Sequence, residues 1–173
     1  ASWHLSGDLN VPTLPERVQD VVMRRVSRLP APTRWALNYA AVIAQPFAPD
    51  LLADVLGETP ETIREALRAG EIRHLIQKAD DRTYDFMHDR IRETLYQQLS
   101  DHIRKLMHER VGQTRLDASK RPDGVPDDVA VQIAHHFERS LVPTRALPYL
   151  QQAAQAAQRA YAHETAINYY QRM

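Results

Sequence analysis

The chain has eight histidines and no cysteine, so thiolate chemistry is excluded and imidazole is the side chain to weigh first. His88 has the most informative surroundings. Before it, Tyr84 and Phe86 alternate with Asp85 and Met87, the period of a strand. After it, Ile91, Leu95 and Leu99 recur every four residues, the spacing of one helix face. His88-Asp89 therefore sits where a strand turns into a helix. The first amides of a helix lack intrahelical partners, and the helix dipole favours an anion there. An imidazole at such a corner can touch a phosphate. The competing reading is a histidine that caps its own helix and bonds a nearby carbonyl, with Asp89 an ordinary first-turn acid. Arg90 and Arg92 fit either a phosphate or a solvated helix face.

The other histidines do not combine into a metal centre. His135 and His136 are adjacent, so on a helix their side chains diverge by ~100°. His102 and His108 are six apart and fall on different faces. Neither pair has the i, i+4 spacing by which two imidazoles share an ion. His108 and His135 are expected to pack or to hydrogen-bond. Catalytic signatures are missing from the sequence as well. No glycine pair fits GxxxxGK[ST], no GxSxG is present, and a cysteine nucleophile is impossible. Asp80-Asp81 and Asp127-Asp128 fall where turns and helix starts favour acids. The chain is read as non-enzymatic by itself, with no catalytic residue and no metal.

The elements that position these residues are mostly helical. Residues 1–13 are polar and irregular, with Trp3 the one large anchor, and read as a linker. Thr13-Leu14-Pro15-Glu16 starts a helix, continued by Val18, Val21, Val22 and Val26 and stopped at Leu29-Pro30. A second helix is expected over residues 32–44, with Leu37, Ala40, Ala41 and Ile43 as its apolar face. A short helix over 49–56, then Gly57, then Thr59-Pro60-Glu61 opening a helix to about residue 69, make a helix-turn-helix pattern. Residues 71–77 are read as a possible continuation of that helix. Residues 76–79 and 84–87, joined by Asp80-Asp81-Arg82, form a small hairpin. Helix 88–98 follows. Ser100 then caps a helix to about residue 116, with Ile103, Leu106, Met107 and Val111 as its apolar face. Residues 117–125 form an aperiodic loop and a domain boundary. Three helices fill 126–173: Ala130, Ile133, Ala134 and Phe137 line the first, Ala146, Tyr149, Leu150, Ala153 and Ala157 the second, and Ala162, Ala166, Tyr169 and Tyr170 the third.

Residues Phe86-x-His88-Asp89-x-Ile91-Arg92, then Tyr96, Arg104 and His108, resemble the winged-helix module of STAND signalling ATPases, the relatives of NLR and NB-ARC switch proteins. Met87-His88-Asp89 matches that family's MHD motif, whose histidine touches the β-phosphate of bound ADP. Leu14-Pro15, Arg25, Leu29-Pro30, Arg34, Ala41 and Phe47 match the pair of helices that joins the ATPase to the winged helix. The family usually has a glycine before the Leu-Ile pair entering the wing. This chain has His74 there, with Gly70 earlier, which leaves the start of the first wing strand open by several residues. The resemblance spans residues 14–170 and implies a mainly α chain: a winged-helix module over 14–116, then the start of tetratricopeptide-like helical hairpins over 126–173. It also resembles large bacterial sensor proteins that link such an ATPase to a kinase, cyclase or DNA-binding output.

The resemblance implies a regulatory fragment of a signal-transduction ATPase. His88 would contact the ADP phosphate only in the intact protein, where an upstream nucleotide-binding domain supplies ADP or ATP. The fragment itself would carry no cofactor, and a protein partner would meet the helical repeats. Two alternatives come from the residues themselves. One is a protein-interaction scaffold acting through the terminal helices. The other is a DNA-binding winged helix, for which the recognition helix has Arg64 and Arg68 but also Glu61, Glu65 and nearby Glu71. That balance opposes a phosphate backbone. Overall charge is even, 22 basic against 22 acidic residues, so no net field draws the chain to nucleic acid or membrane. No apolar run approaches the ~20 residues needed to span a bilayer. Absence of cysteine fits a reducing compartment, and a cytoplasmic location is expected. The chain begins at Ala1 without a methionine, so a piece of a larger protein is expected.

Overall fold

Helix α2 (Ala31–Ile43) is the element around which the first core closes. Ala36, Leu37, Ala40, Ala41, Val42 and Ile43 on it are all buried. The chain is mainly α in a computed structural model that describes residues 18–44, 46–119 and 124–173. The linker at 1–13, the helix start at Thr13-Leu14-Pro15-Glu16 and the centre of the 117–125 loop lie outside the described residues. Helix α1 (Val18–Ser27) precedes α2, and α3 (Pro49–Leu56) and α4 (Pro60–Ile72) follow it. Gly57 ends α3 at φ 72°, a left-handed conformation that glycine takes without a Cβ penalty. Two amides, of Gly57 and Glu58, then bond the Ala53 carbonyl at 2.8 and 3.0 Å. Two residues on, the Thr59 side chain accepts from the Thr62 amide at 3.2 Å and Pro60 opens α4. The tight reversal lets Leu52 and Val55 of α3 meet Ile63 and Leu67 of α4, all buried in one cluster with α2.

The anticipated continuation of α4 through residues 71–77 is met only as far as Ile72. The helix stops at Ile72 and His74 turns left-handed at φ 52°. The Leu75 amide bonds the Gly70 carbonyl at 3.1 Å, which swings the chain into strand β1 (Ile76–Lys78). β1 pairs antiparallel with β2 (Tyr84–Phe86), Ile76 opposite Phe86 and Lys78 opposite Tyr84. Phe47 extends this small sheet. It exchanges both backbone bonds with Tyr84, at 2.8 and 2.9 Å, and its ring packs against Tyr84 and Phe86.

Helix α5 (Asp89–Gln98) packs on α1 and α2. Ser100 caps α6 (Asp101–Ala118), its hydroxyl accepting from the Ile103 amide. Its buried face is Met107, His108, Val111 and Gly112. Leu106, expected on that face, is 41% exposed, and Ile103 only half-buried. The helix also outruns its expected end by two residues, so residues 117 and 118 are helical rather than loop. Helices α7 (Asp127–Glu138), α8 (Leu147–Arg159) and α9 (His163–Gln171) follow, with a 3-10 turn (Pro143–Ala146) before α8. They build a second, smaller cluster from Ile133, Ala134, Phe137, Ala146 and Leu150, against which Leu116 of α6 packs. Among the described residues no helix is long and apolar enough to cross a membrane.

Candidate functional site

The strand-to-helix corner exists as the spacing predicts, with His88 at the N-cap of α5 in an extended conformation. Its side chain is exposed and caps nothing. The ring makes no hydrogen bond among the described residues, so the self-capping role expected as the alternative is not the one it takes. The His88 carbonyl accepts from the Ile91 amide at 2.9 Å. The amides of Asp89 and Arg90 have no partner among the described residues, the open donors expected of a helix start. Behind the corner, the Met87 amide bonds the Leu75 carbonyl at 3.1 Å and Phe86 and Ile91 are buried. A free imidazole is thus held on a rigid base. Arg90 is exposed and Arg92 half-buried.

A second group of histidines forms where α6 meets α7. His108 and His136, 28 residues apart in sequence, lie with their Nδ1 atoms 3.0 Å apart in a buried contact. The Tyr96 hydroxyl of α5 stands 3.0 Å from Nε2 of His108. One proton assignment satisfies all three groups: Tyr96 O–H donates to Nε2 of His108, whose Nδ1–H donates to Nδ1 of His136. His135 closes the group, its ring edge-on to His136 with centroids 5.2 Å apart. His102 stays apart and exposed.

Electrostatics keep these rings neutral. Burial, with His135, Arg139 and Arg104 nearby, brings His108 down to about 4. Burial is also the main cause that holds His136 lower still, followed by His108, His135, Arg115 and Arg139. His135 is lowered for the same first reason. No carboxylate hydrogen-bonds any of the three rings among the described residues. Glu138 is taken by Arg172, at 3.0 Å from its Nε. Glu109 is taken by Arg145, which also bonds Gln113 and lies 4.1 Å over the Phe137 ring.

Close approach of the two helices depends on Gly112. A Cβ there would stand 3.0 Å from two carbons of the Phe137 ring and 3.3 Å from Cβ of His136. Sequence reasoning placed His108 and His135 in packing or hydrogen-bonding roles but missed the pairing with His136, and it passed over Gly112. A signal for His136 was present: it sits at helix spacing with Ile133 and Ser140, both buried. Among the described residues no group of three or more His, Asp or Glu side chains could hold a metal ion.

The surface that would face DNA is charge-balanced. Arg64 of α4 is held by Glu61 at 3.0 Å and by Asp50 at 3.4 Å. The cleft between α3, α4 and the hairpin sets Arg64, Lys78 and Arg82 against Asp50, Asp80 and Asp81. Asp80 is held below the usual carboxylate range by the Arg82 amide, then by the hydroxyl and amide of Thr83. It therefore stays charged and knots the hairpin tip. No protein-family model, curated protein or solved structure matches the chain.

Proposed function

We propose that this chain is a regulatory, non-catalytic segment of a STAND-type signal-transduction ATPase, one that couples nucleotide state to a helical-repeat sensor. The observation that carries the reading is His88: exposed, without a hydrogen bond, and beside two open amides at the start of α5. An exposed ring with no partner among the described residues is free to meet a ligand from outside. In the intact protein this corner would meet ADP held by the upstream nucleotide-binding domain. His88 would add a contact present only in the closed, ADP-bound state, and exchange for ATP would release it. The order of α2, α3, α4 and the hairpin, with Phe47 bridging to Tyr84, supports a winged helix. Small buried residues on α8 and α9, Ala153, Ala154, Ala157 and Ala166, support tetratricopeptide-like hairpins that receive the signal. The reading includes a cytoplasmic, bacterial setting.

The test rejoins the chain to its native upstream region and compares ADP release between wild type and His88→Ala. A phosphate contact contributes on the order of 1.5–3 kcal/mol, or about 10- to 100-fold in affinity. Release faster by that factor, with helix content intact by circular dichroism, supports the switch. Unchanged release removes His88 as a nucleotide sensor.

A second reading has its own observation. On α9 and the turn before it, Tyr161, Ile167 and Tyr170 are exposed by 84%, 55% and 42%. Apolar groups so placed favour a protein-contact scaffold. Partner binding mapped to residues 126–173 and indifferent to nucleotide would select this reading. A duplex-binding role has less support, because Arg64 is already paired and the hairpin cleft has no net positive charge.

A further inference from the structure

The seam between α6 and α7 holds two neutral imidazoles with their Nδ1 atoms in a buried contact, and no carboxylate among the described residues hydrogen-bonds either ring. We propose that this seam is a proton-operated latch, closed when His108 and His136 are neutral and opened by acid, which frees α7–α9 from the body formed by α1–α6. The proposal does not rest on the nucleotide reading, since His88 takes no part in the hydrogen-bond chain from Tyr96 through His108 to His136.

Hydrogen-bond geometry sets the limit. The two Nδ1 atoms lie 3.0 Å apart, which one proton can bridge. If both rings are charged, two N–H groups point at each other across that gap, and the contact must open. The first proton is already disfavoured by burial and by the charged neighbours on α6 and α7. From α6, Arg104 and Arg115 are cationic; from α7, Arg139 is cationic and His135 adds charge when it titrates. From α5 comes the Tyr96 hydroxyl, which is neutral. Glu109 of α6 is engaged by Arg145, before α8, and Glu138 of α7 by Arg172, after α9. Neither carboxylate reaches the pair.

The sign follows. A released ring regains the ordinary histidine value near ~6.5. The closed form, with His108 held to about 4, binds fewer protons than the open form over that interval. Closure is therefore at full strength above the ordinary value and weakens as pH falls toward 4. At pH 5 the open-to-closed ratio rises by about 30-fold for each ring released.

The cysteine-free chain makes the measurement direct. Arg68→Cys on α4 and Gln155→Cys on α8, both at exposed positions, take two spin labels, and their distance is read by pulsed electron resonance at pH 7.5 and pH 5. Wild type should give one narrow distance at pH 7.5 and gain a longer, broader population at pH 5, with helical circular dichroism retained. His136→Asn and His108→Asn each keep an amide near the Nδ1 position but cannot titrate, and each should cut the acid response by about 30-fold. His102→Asn, exposed on the same helix, should leave it unchanged. Equal distances at both pH values overturn the latch, as does an undiminished response in the double variant. Acid-induced loss of helix throughout overturns it too. Ring nitrogen spectra of wild type give a test that needs no variant. Two rings that stay neutral in the closed form while a separate released set grows in support the latch; two rings titrating smoothly near the ordinary value overturn it.

Discussion

Two histidine sites on one chain are built in opposite ways. At the start of α5, His88 is exposed, its ring unbonded, on a base of buried Phe86 and Ile91. At the α6–α7 seam, His108 and His136 are buried and bonded to each other, and His108 is bonded to Tyr96 as well. The first site leaves its donors without a partner among the described residues. The second uses the same side chain to join two helices. The difference lies in the neighbours. A helix start supplies unpaired amides that favour an anion. A helix–helix seam supplies desolvation and cations that favour a neutral ring.

Substitutions can break or sharpen this contrast, and they separate by size. Phe137→Ala empties the space beneath Arg145 and beside Gly112, and should cost about 4 kcal/mol in urea unfolding. A cost far below that would mean the seam contributes little to holding the C-terminal helices. Gly112→Ala places a methyl 3.0 Å from the Phe137 ring. It should cost about 2 kcal/mol and widen the seam, seen as faster amide exchange in α7. Full retention of stability would show that the two helices can part without penalty. His88→Ala removes no hydrogen bond among the described residues, so the stability of the chain should change by less than about 0.5 kcal/mol. A larger loss would give the corner a structural role after all and weaken its case as a nucleotide sensor.

Local features were readable in the sequence. Pro60 after Thr59, Ser100 before α6 and Gly57 after α3 mark helix ends by backbone chemistry, and each lies where that chemistry puts it. The strand-to-helix change at His88 followed from a switch of period at one residue. What failed was of two kinds. His74 was a place where a glycine was anticipated, and the chain bends left-handed there regardless, at φ 52°. Tertiary packing of Leu75 and Ile76 overrides the local preference, which is why the helix does not run on past Ile72. The other failure was non-local. Phe47 bonding Tyr84, and His108 meeting His136, join residues 37 and 28 apart, and neither pair has a spacing that announces the other. Leu106 was placed on the buried face because it is apolar, while the face that is covered carries Met107, His108, Val111 and Gly112. Periodicity identifies which side of a helix is covered, and it does not identify what covers it.

Helix α6 belongs to both cores: Met107 and Val111 to the first, Leu116 to the second. This gives the chain an order of assembly. The first core can close once residue 118 has been made, because all its members lie at or before Val111. The second has few large residues of its own and takes Leu116 as one wall. A chain emerging from the ribosome would thus build the docking face before the helices that use it, so α7–α9 would condense on a finished template rather than search for one.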